Sequence, residues 1–182
     1  MHTSRTHNSF AVVVAVSGLL LGGCATTVPT PESVHQFVPG FRISSNDAVL
    51  VHIDASQSVN ILPDEEQRFA RDIEQEIQAS QKNSRTTGNS ETYEVDVHLT
   101  RYDKGSMVAR FLLPGFGGNM HIDGNIDVFS SPQHKLLETF ALKKTFITSA
   151  GFVAYRAFTP IERVEDNFAK SVAETLTGVK GN

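Results

Sequence analysis

The sequence holds a single cysteine, Cys24, among 182 residues. No second thiol exists to pair with it, so the chain must fold without disulfides, and cysteine-based metal sites are excluded. Long hydrophobic runs are missing too. The longest, Phe10 to Leu21, falls short of the roughly 18–20 apolar residues that a spanning helix needs. Basic clusters are absent. With 16 Lys+Arg against 20 Asp+Glu, the chain is a poor candidate for nucleic-acid binding or for charge-driven adhesion to anionic lipid. There is no Gly-x-Ser-x-Gly elbow around a nucleophile. A phosphate loop ending in Gly-Lys-Ser/Thr is also missing, and a Gly-x-Gly-x-x-Gly reading of Gly115 and Gly117 fails at Met120.

The most telling feature is what surrounds Cys24. A polar start with Arg5 is followed by the apolar run FAVVVAVSGLLL and then Gly22-Gly23-Cys24. That is the layout of a secretory signal peptide. Leu21, Gly22, Gly23 and Cys24 resemble the lipobox of bacterial lipoproteins. The resemblance implies that the Cys24 thiol takes a diacylglycerol and that a peptidase cuts before it. It also implies that the new amine is acylated. Ala25 stands where Asp favours retention in the inner membrane, so the resemblance points to the outer membrane, on its periplasmic side. Two or three acyl chains make such attachment permanent. The partner expected first is therefore the lipid bilayer, reached through acylated Cys24.

The chain then divides into three parts: a removed segment 1–23, an acylated cysteine and flexible tether 24–40, and a single periplasmic domain 41–182. Pro29, Pro31 and Pro39 mark the tether. Val34, Phe37 and Val38 within it are free to dock onto the domain or not. Removing 23 of the 182 residues leaves 159. The segment lost holds one basic residue and no acidic one, so the remainder carries 15 basic and 20 acidic groups, a net charge of −5.

Periodicity gives the element order β-α-β-β-β-α. Ala48–Ile53, AVLVHI, reads as a buried strand. Pro63 with Asp64, Glu65 and Glu66 opens a helix whose apolar stripe is Phe69, Ile73 and Ile77. Tyr93, Val95, Val97 and Leu99 alternate with polar residues, as do Met120, Ile122, Ile126 and Val128. Gly124 falls on the apolar side and marks a bulge or close packing. Leu136–Phe146 is a further strand. Thr159-Pro160-Ile161-Glu162 fits a capping box for the last helix. That helix buries Ile161, Val164, Phe168, Val172 and Leu176 and stops at Gly178. One-sided strands and two amphipathic helices imply an α+β fold. It is a two-layer sandwich of a mostly antiparallel sheet, about four strands, with two helices on one face. The first strand and Tyr93–Arg101 are expected to pair in parallel across the helix.

Gly105–Asn119, GSMVARFLLPGFGGN, breaks the pattern. It is either a core-covering loop, with glycines for positive φ or close packing, or an exposed apolar loop that offers Met107, Val108, Phe111, Leu112 and Phe116 to a partner or a membrane. Arg101, Tyr102, Gly105, Arg110, Gly115, Phe116, Gly117 and Gly118 resemble the central signature of a bacterial lipoprotein family, domain of unknown function 4410. The resemblance spans about Asp47 to Leu176. It implies the same element order and no transferable activity.

No catalytic residue is expected, and no metal or cofactor. His98, His121, Asp123 and Asp127 fall on polar strand faces, where pairing in register would bring His98 and His121 together, but no metal-ligand spacing supports a site. Asp96 and Asp127 as an acid–base pair lack a cleft. The expected function is a non-enzymatic, membrane-anchored protein-interaction or envelope-assembly and export accessory module. It would act through a sheet edge or the 105–118 loop on an envelope protein partner. The alternative is a small-molecule or lipid carrier, its apolar cavity lined by that loop with Phe152, Tyr155 and Phe158.

Overall fold

A computed structural model describes residues 31–82, 90–106, 108–109, 118–146 and 160–179. The elements are β1 (Glu32–Gln36), β2 (Ala48–Ala55), α1 (Pro63–Gln81), β3 (Thr92–Asp103), β4 (Met120–Ser131), β5 (Lys135–Phe146) and α2 (Glu162–Thr177). The five strands form one sheet in the order β1-β5-β4-β3-β2. β2 and β3 run parallel across the α1 crossover, and the other neighbours are antiparallel. The expected α+β sandwich is present, with five strands rather than about four.

The extra strand comes from the stretch expected to be tether. Glu32–Gln36 pairs with β5 through Glu32–Ala141, His35–Thr139 and Gln36–Glu138. Two side-chain bonds reinforce it: Lys143 Nζ donates to Glu32 Oε2 at 2.7 Å, and Gln36 Nε2 to Glu138 Oε2 at 3.1 Å. The composition gave no sign of a strand because β1 is exposed along nearly its whole length and so carries no buried face. Phe37 remains half exposed, whereas Val38 packs against the core.

Alternation decides which face is dry. Tyr93, Val95, Val97 and Leu99 of β3 point to the helices, as do Met120, Ile122, Ile126 and Val128 of β4. Phe140 and Leu142 of β5 join them, opposite Ile126 and Gly124. From the helix layer come Phe69, Ile73 and Ile77 of α1 and Val164, Phe168, Val172 and Leu176 of α2. The Phe69 and Phe168 rings meet edge-on at 5.5 Å, an arrangement aromatic pairs prefer. Gly124 is a close-packing position: a Cβ there would lie 3.4 Å from Phe168 Cζ and 3.3 Å from the His98 carbonyl.

Two expectations need correction. β2 is an edge strand, with Val49, Val51 and Ile53 inward and Leu50, His52 and Asp54 outward. Leu50 is 49% exposed and hides this alternation from a reading of composition. The last helix starts at Glu162 behind Ile161, two residues later than the capping-box reading, and Thr159 lies outside the described residues. Its end at Gly178, with φ of 70°, is as expected.

Both edges oppose strand addition, as natural sheets commonly do. On β2, the outward Val51 N–H is taken by Glu74 Oε1 of α1 at 3.0 Å. On β1, the register breaks between Glu32 and His35, and Ser33 has φ of 54°.

Candidate functional site

The face of the sheet away from the helices is polar. β2 supplies His52 and Asp54, and β3 supplies Glu94, Asp96 and His98. β4 supplies Asn125 and Asp127, and β5 Thr139 and Lys143. Parallel register sets His52 beside Asp96 and Asp54 beside His98, while antiparallel register sets Asp96 directly opposite Asp127. His98 Nδ1 and Asp54 Oδ2 are 2.9 Å apart, and His134 Nδ1 and Glu94 Oε2 are 3.0 Å apart. His134 also stacks on Phe129 with ring centroids at 4.3 Å. Glu94 lies below the usual carboxylate range because Ser131 and His134 donate to it. Asp96 is pushed up, first by burial and then by the like charges of Glu94 and Asp127, against the pull of His52 and His134. Opposed like charges on paired strands are destabilising.

The sequence expectations resolve unevenly. Asp96 and Asp127 do meet, but on an open sheet face. His98 and His121 do not: His98 faces Asn125, and His121 faces Asp103 and Thr145. The strands pair antiparallel with His98 near the middle and His121 near one end, which keeps them apart. His121 Nδ1 lies 2.9 Å from Thr145 Oγ1, and burial, helped by Arg101, lowers its pKa. Among the described residues no group of three or more His, Cys, Asp or Glu converges to hold a metal ion.

A second feature lies where β3 ends. Gly105 has φ of 66° and Gly118 has φ of 72°. A Cβ on Gly105 would strike the Gly118 carbonyl oxygen and lie 2.9 Å from that of Asn119. The two ends of the 105–118 segment are therefore in backbone contact, which only glycine at position 105 allows. Gly105 N–H also donates to Asp103 Oδ1 at 2.8 Å. Val108 is 66% exposed. Met107, Phe111, Leu112 and Phe116 lie outside the described residues, as do Leu21, Gly22, Gly23, Cys24, Phe152, Tyr155 and Phe158.

Behind this neck is a charge with no access to water. Glu165 of α2 is fully buried. Its Oε1 accepts from Tyr102 OH at 2.6 Å, and Arg68 Nη2 of α1 donates to both carboxylate oxygens at 2.9 and 3.0 Å. Burial raises the Glu165 pKa, and Tyr102 and Arg68 pull it back. Alongside, Lys104 Nζ donates to Glu65 Oε1 and Oε2 at 2.6 and 2.8 Å. Burial pushes Glu65 up, but Lys104 and the Leu62 N–H hold it below its ordinary value.

Sequence reasoning missed this network. The available signal was Glu165 itself, four residues after Ile161 and three before Phe168, within the apolar stripe. Tyr102 was hidden by a register shift between Leu99 and Arg101. Strict alternation from Leu99 points Arg101 inward, whereas the irregularity turns Tyr102 into the core.

The matching family model, described as Domain of unknown function (DUF4410), covers residues 34–150, and the chain belongs to that family. The match begins inside β1. No match is found among curated proteins. Among solved structures, a PelC dodecamer from Paraburkholderia phytofirmans is similar at 10% identity and a TM-score of 0.44, covering 75% of this chain and 98% of that one. A protein from Caulobacter crescentus described as a lipoprotein is similar at 9% identity and a TM-score of 0.37, over 69% and 82%. A DUF330 protein from Xanthomonas campestris shows 14% identity and a TM-score of 0.40, over 81% and 90%. Among the described residues no helix is long and apolar enough to cross a membrane.

Two measurements check the neck and the network. Gly40 also has positive φ, with open space around it, so Gly40→Ala is expected to cost about 1 kcal/mol in urea unfolding, from backbone strain alone. Gly105→Ala adds a backbone collision and is expected to cost about 3 kcal/mol; equal losses would show that the contact is immaterial. Arg68→Ala is expected to cost about 3 kcal/mol at pH 7, because it strands a buried carboxylate. That carboxylate already binds its proton more tightly than in the unfolded chain. The penalty should therefore shrink as pH falls toward the ordinary glutamate value, where Glu165 becomes neutral. The same loss at pH 7 and pH 5 would contradict this.

Proposed function

We propose that this chain is a lipoprotein of the bacterial envelope, anchored through acylated Cys24 at the periplasmic face of the outer membrane. There it works as a non-enzymatic interaction or envelope-assembly accessory module. The anchor rests on Leu21-Gly22-Gly23-Cys24 following a short apolar run, with no other cysteine in the chain.

The observation that carries the interaction reading is the Asp96–Asp127 pair at the centre of the open face. Two carboxylates opposed across paired strands reduce stability, and nothing in the core requires them. Such a cost is kept where a surface meets something else. Their neighbours are exposed or half-buried and paired one to one, the state of a solvated recognition surface rather than of a catalytic cleft. Because both sheet edges are obstructed, the open face is the surface offered to the partner, and its charge fits a partner with basic groups.

The carrier alternative draws no support from the helix–sheet interface. Phe69, Phe140, Phe168, Ile126 and Leu142 there have at most 2% of their surface accessible, so that interface is filled by side chains, and Phe152, Tyr155 and Phe158 lie outside the described residues.

Two experiments test the proposal. Cys24→Ser is expected to abolish palmitate labelling and membrane fractionation, and a variant that still labels and sediments with membrane would overturn the anchor. Asp96→Asn with Asp127→Asn is expected to keep the fold, to gain roughly 0.2–1 kcal/mol in stability, and to lose the partner captured by cross-linking in intact envelopes. Unchanged capture would remove the open face from the account.

A further inference from the structure

The topology sends several chain segments to one end of the sandwich. β3 ends there, β4 begins there opposite the end of β5, and α1 and α2 both start there. β1 runs antiparallel to β5, with Glu32 opposite Ala141 and Gln36 opposite Glu138. The chain therefore enters β1 from this same end.

Reach sharpens the point. Five residue steps lead from Ala141 to Phe146 along β5, so the rim lies about 16 Å beyond Glu32. The eight residue steps from Cys24 to Glu32 span at most about 29 Å. Even fully extended along β1, Cys24 passes the rim by only about 13 Å.

This rim also carries the two most exposed large apolar side chains among the described residues, Val108 at 66% and Leu62 at 52%. Leu62 sits beside the Lys104–Glu65 ion pair, its N–H donating to Glu65 Oε2, and that pair joins the end of β3, four residues before Val108, to the first turn of α1. The contact between Gly105 and Gly118 brings together the two ends of the segment that contains Val108.

Resting on the lipid-anchor reading above, we infer that this rim lies against the bilayer that holds the acyl chains on Cys24, with Leu62 and Val108 entering its interfacial layer. An exposed apolar rim at the end of a short lipid tether is held at high local concentration against one surface, and that surface is lipid. Charge does not drive the contact. Among the described residues of this rim, Asp64 and Glu162 are exposed or half-buried, Arg163 stands between acidic Glu162 and Glu165 in the first turn of α2, and Lys104 is paired with Glu65. The rim therefore suits zwitterionic lipid better than anionic lipid. With this end on the membrane, the strands stand away from it and the open acidic face looks sideways into the periplasm, accessible to a partner.

The test uses the full-length protein purified with its lipid and reconstituted into phosphatidylethanolamine–phosphatidylcholine vesicles. Acylation consumes the only native thiol, so the parent protein should not react with a thiol-directed fluorophore. Leu62→Cys, Val108→Cys and Gln133→Cys each introduce a single exposed site, the last in the turn between β4 and β5 at the opposite end. Fluorophores at 62 and 108 are expected to shift to the blue and to lose about half their emission to nitroxide-bearing lipid. A fluorophore at 133 should be quenched by aqueous iodide alone. If the parent stays unreactive and 62 and 108 behave like 133, the orientation is wrong although the anchor stands. Protection from iodide without lipid quenching would mean that a protein surface covers the rim, which also overturns the inference. A parent that labels at Cys24 would refute the anchor and this orientation together.

Discussion

Glu165 is a carboxylate with no exposure to water, and much of the molecule is arranged around satisfying it. A buried charge is tolerated only when paired and hydrogen-bonded. Here the guanidinium of Arg68 comes from α1, the phenol of Tyr102 from the end of β3, and the carboxylate from α2. Three elements distant in sequence are thereby fixed at one point. Hydrophobic contacts hold the same layers together, but they are non-directional. The ionic network specifies how the helix pair sits over the strand end, and from that end the 105–118 segment departs.

The two faces of the sheet divide the remaining work. The dry face is packed by two helices and stabilises the fold through apolar burial. Its aromatic centre, Phe69 against Phe168, and the glycine at 124 show how closely the layers approach. The wet face is acidic at its centre, where Asp96 opposes Asp127, and edged by strands that resist further pairing. A second buried carboxylate, Glu138, ties the short β1 to the body through Gln36, and burial raises its pKa despite that bond. β1 in turn sets the direction in which the amino-terminal chain leaves. The direction in which the chain enters the sheet is thus a consequence of strand register, which follows from the pairing of Glu32, His35 and Gln36 with β5.

Much of this was legible in the residues. Alternation in β3 and β4 and the four-residue spacing of Phe69, Ile73 and Ile77 gave the layers, and the parallel pairing of β2 with β3 followed from the crossover helix. What escaped notice did so for physical reasons. β1 buries no face, so hydrophobic patterning has nothing to register there. Leu50 disguised an edge strand as a central one. The irregularity after Leu99 reversed the facing of Tyr102, and Glu165 was missed because a charged residue in an apolar stripe is usually explained by exposure. The meeting of Asp96 with Asp127 depended on cross-strand register, which sequence spacing alone does not determine. The glycines at 105 and 118 were recognisable as special, but their contact with each other is a tertiary fact.

Glu165 couples the helix layer to the end of β3 through Arg68 and Tyr102. The most direct measurement is a double-mutant cycle of Tyr102→Phe and Glu165→Ala, read by urea unfolding at pH 7. Hydrogen bonds to a buried charge lead us to expect a coupling energy of about 1.5 kcal/mol or more. Additivity of the two changes to within about 0.5 kcal/mol would contradict the account.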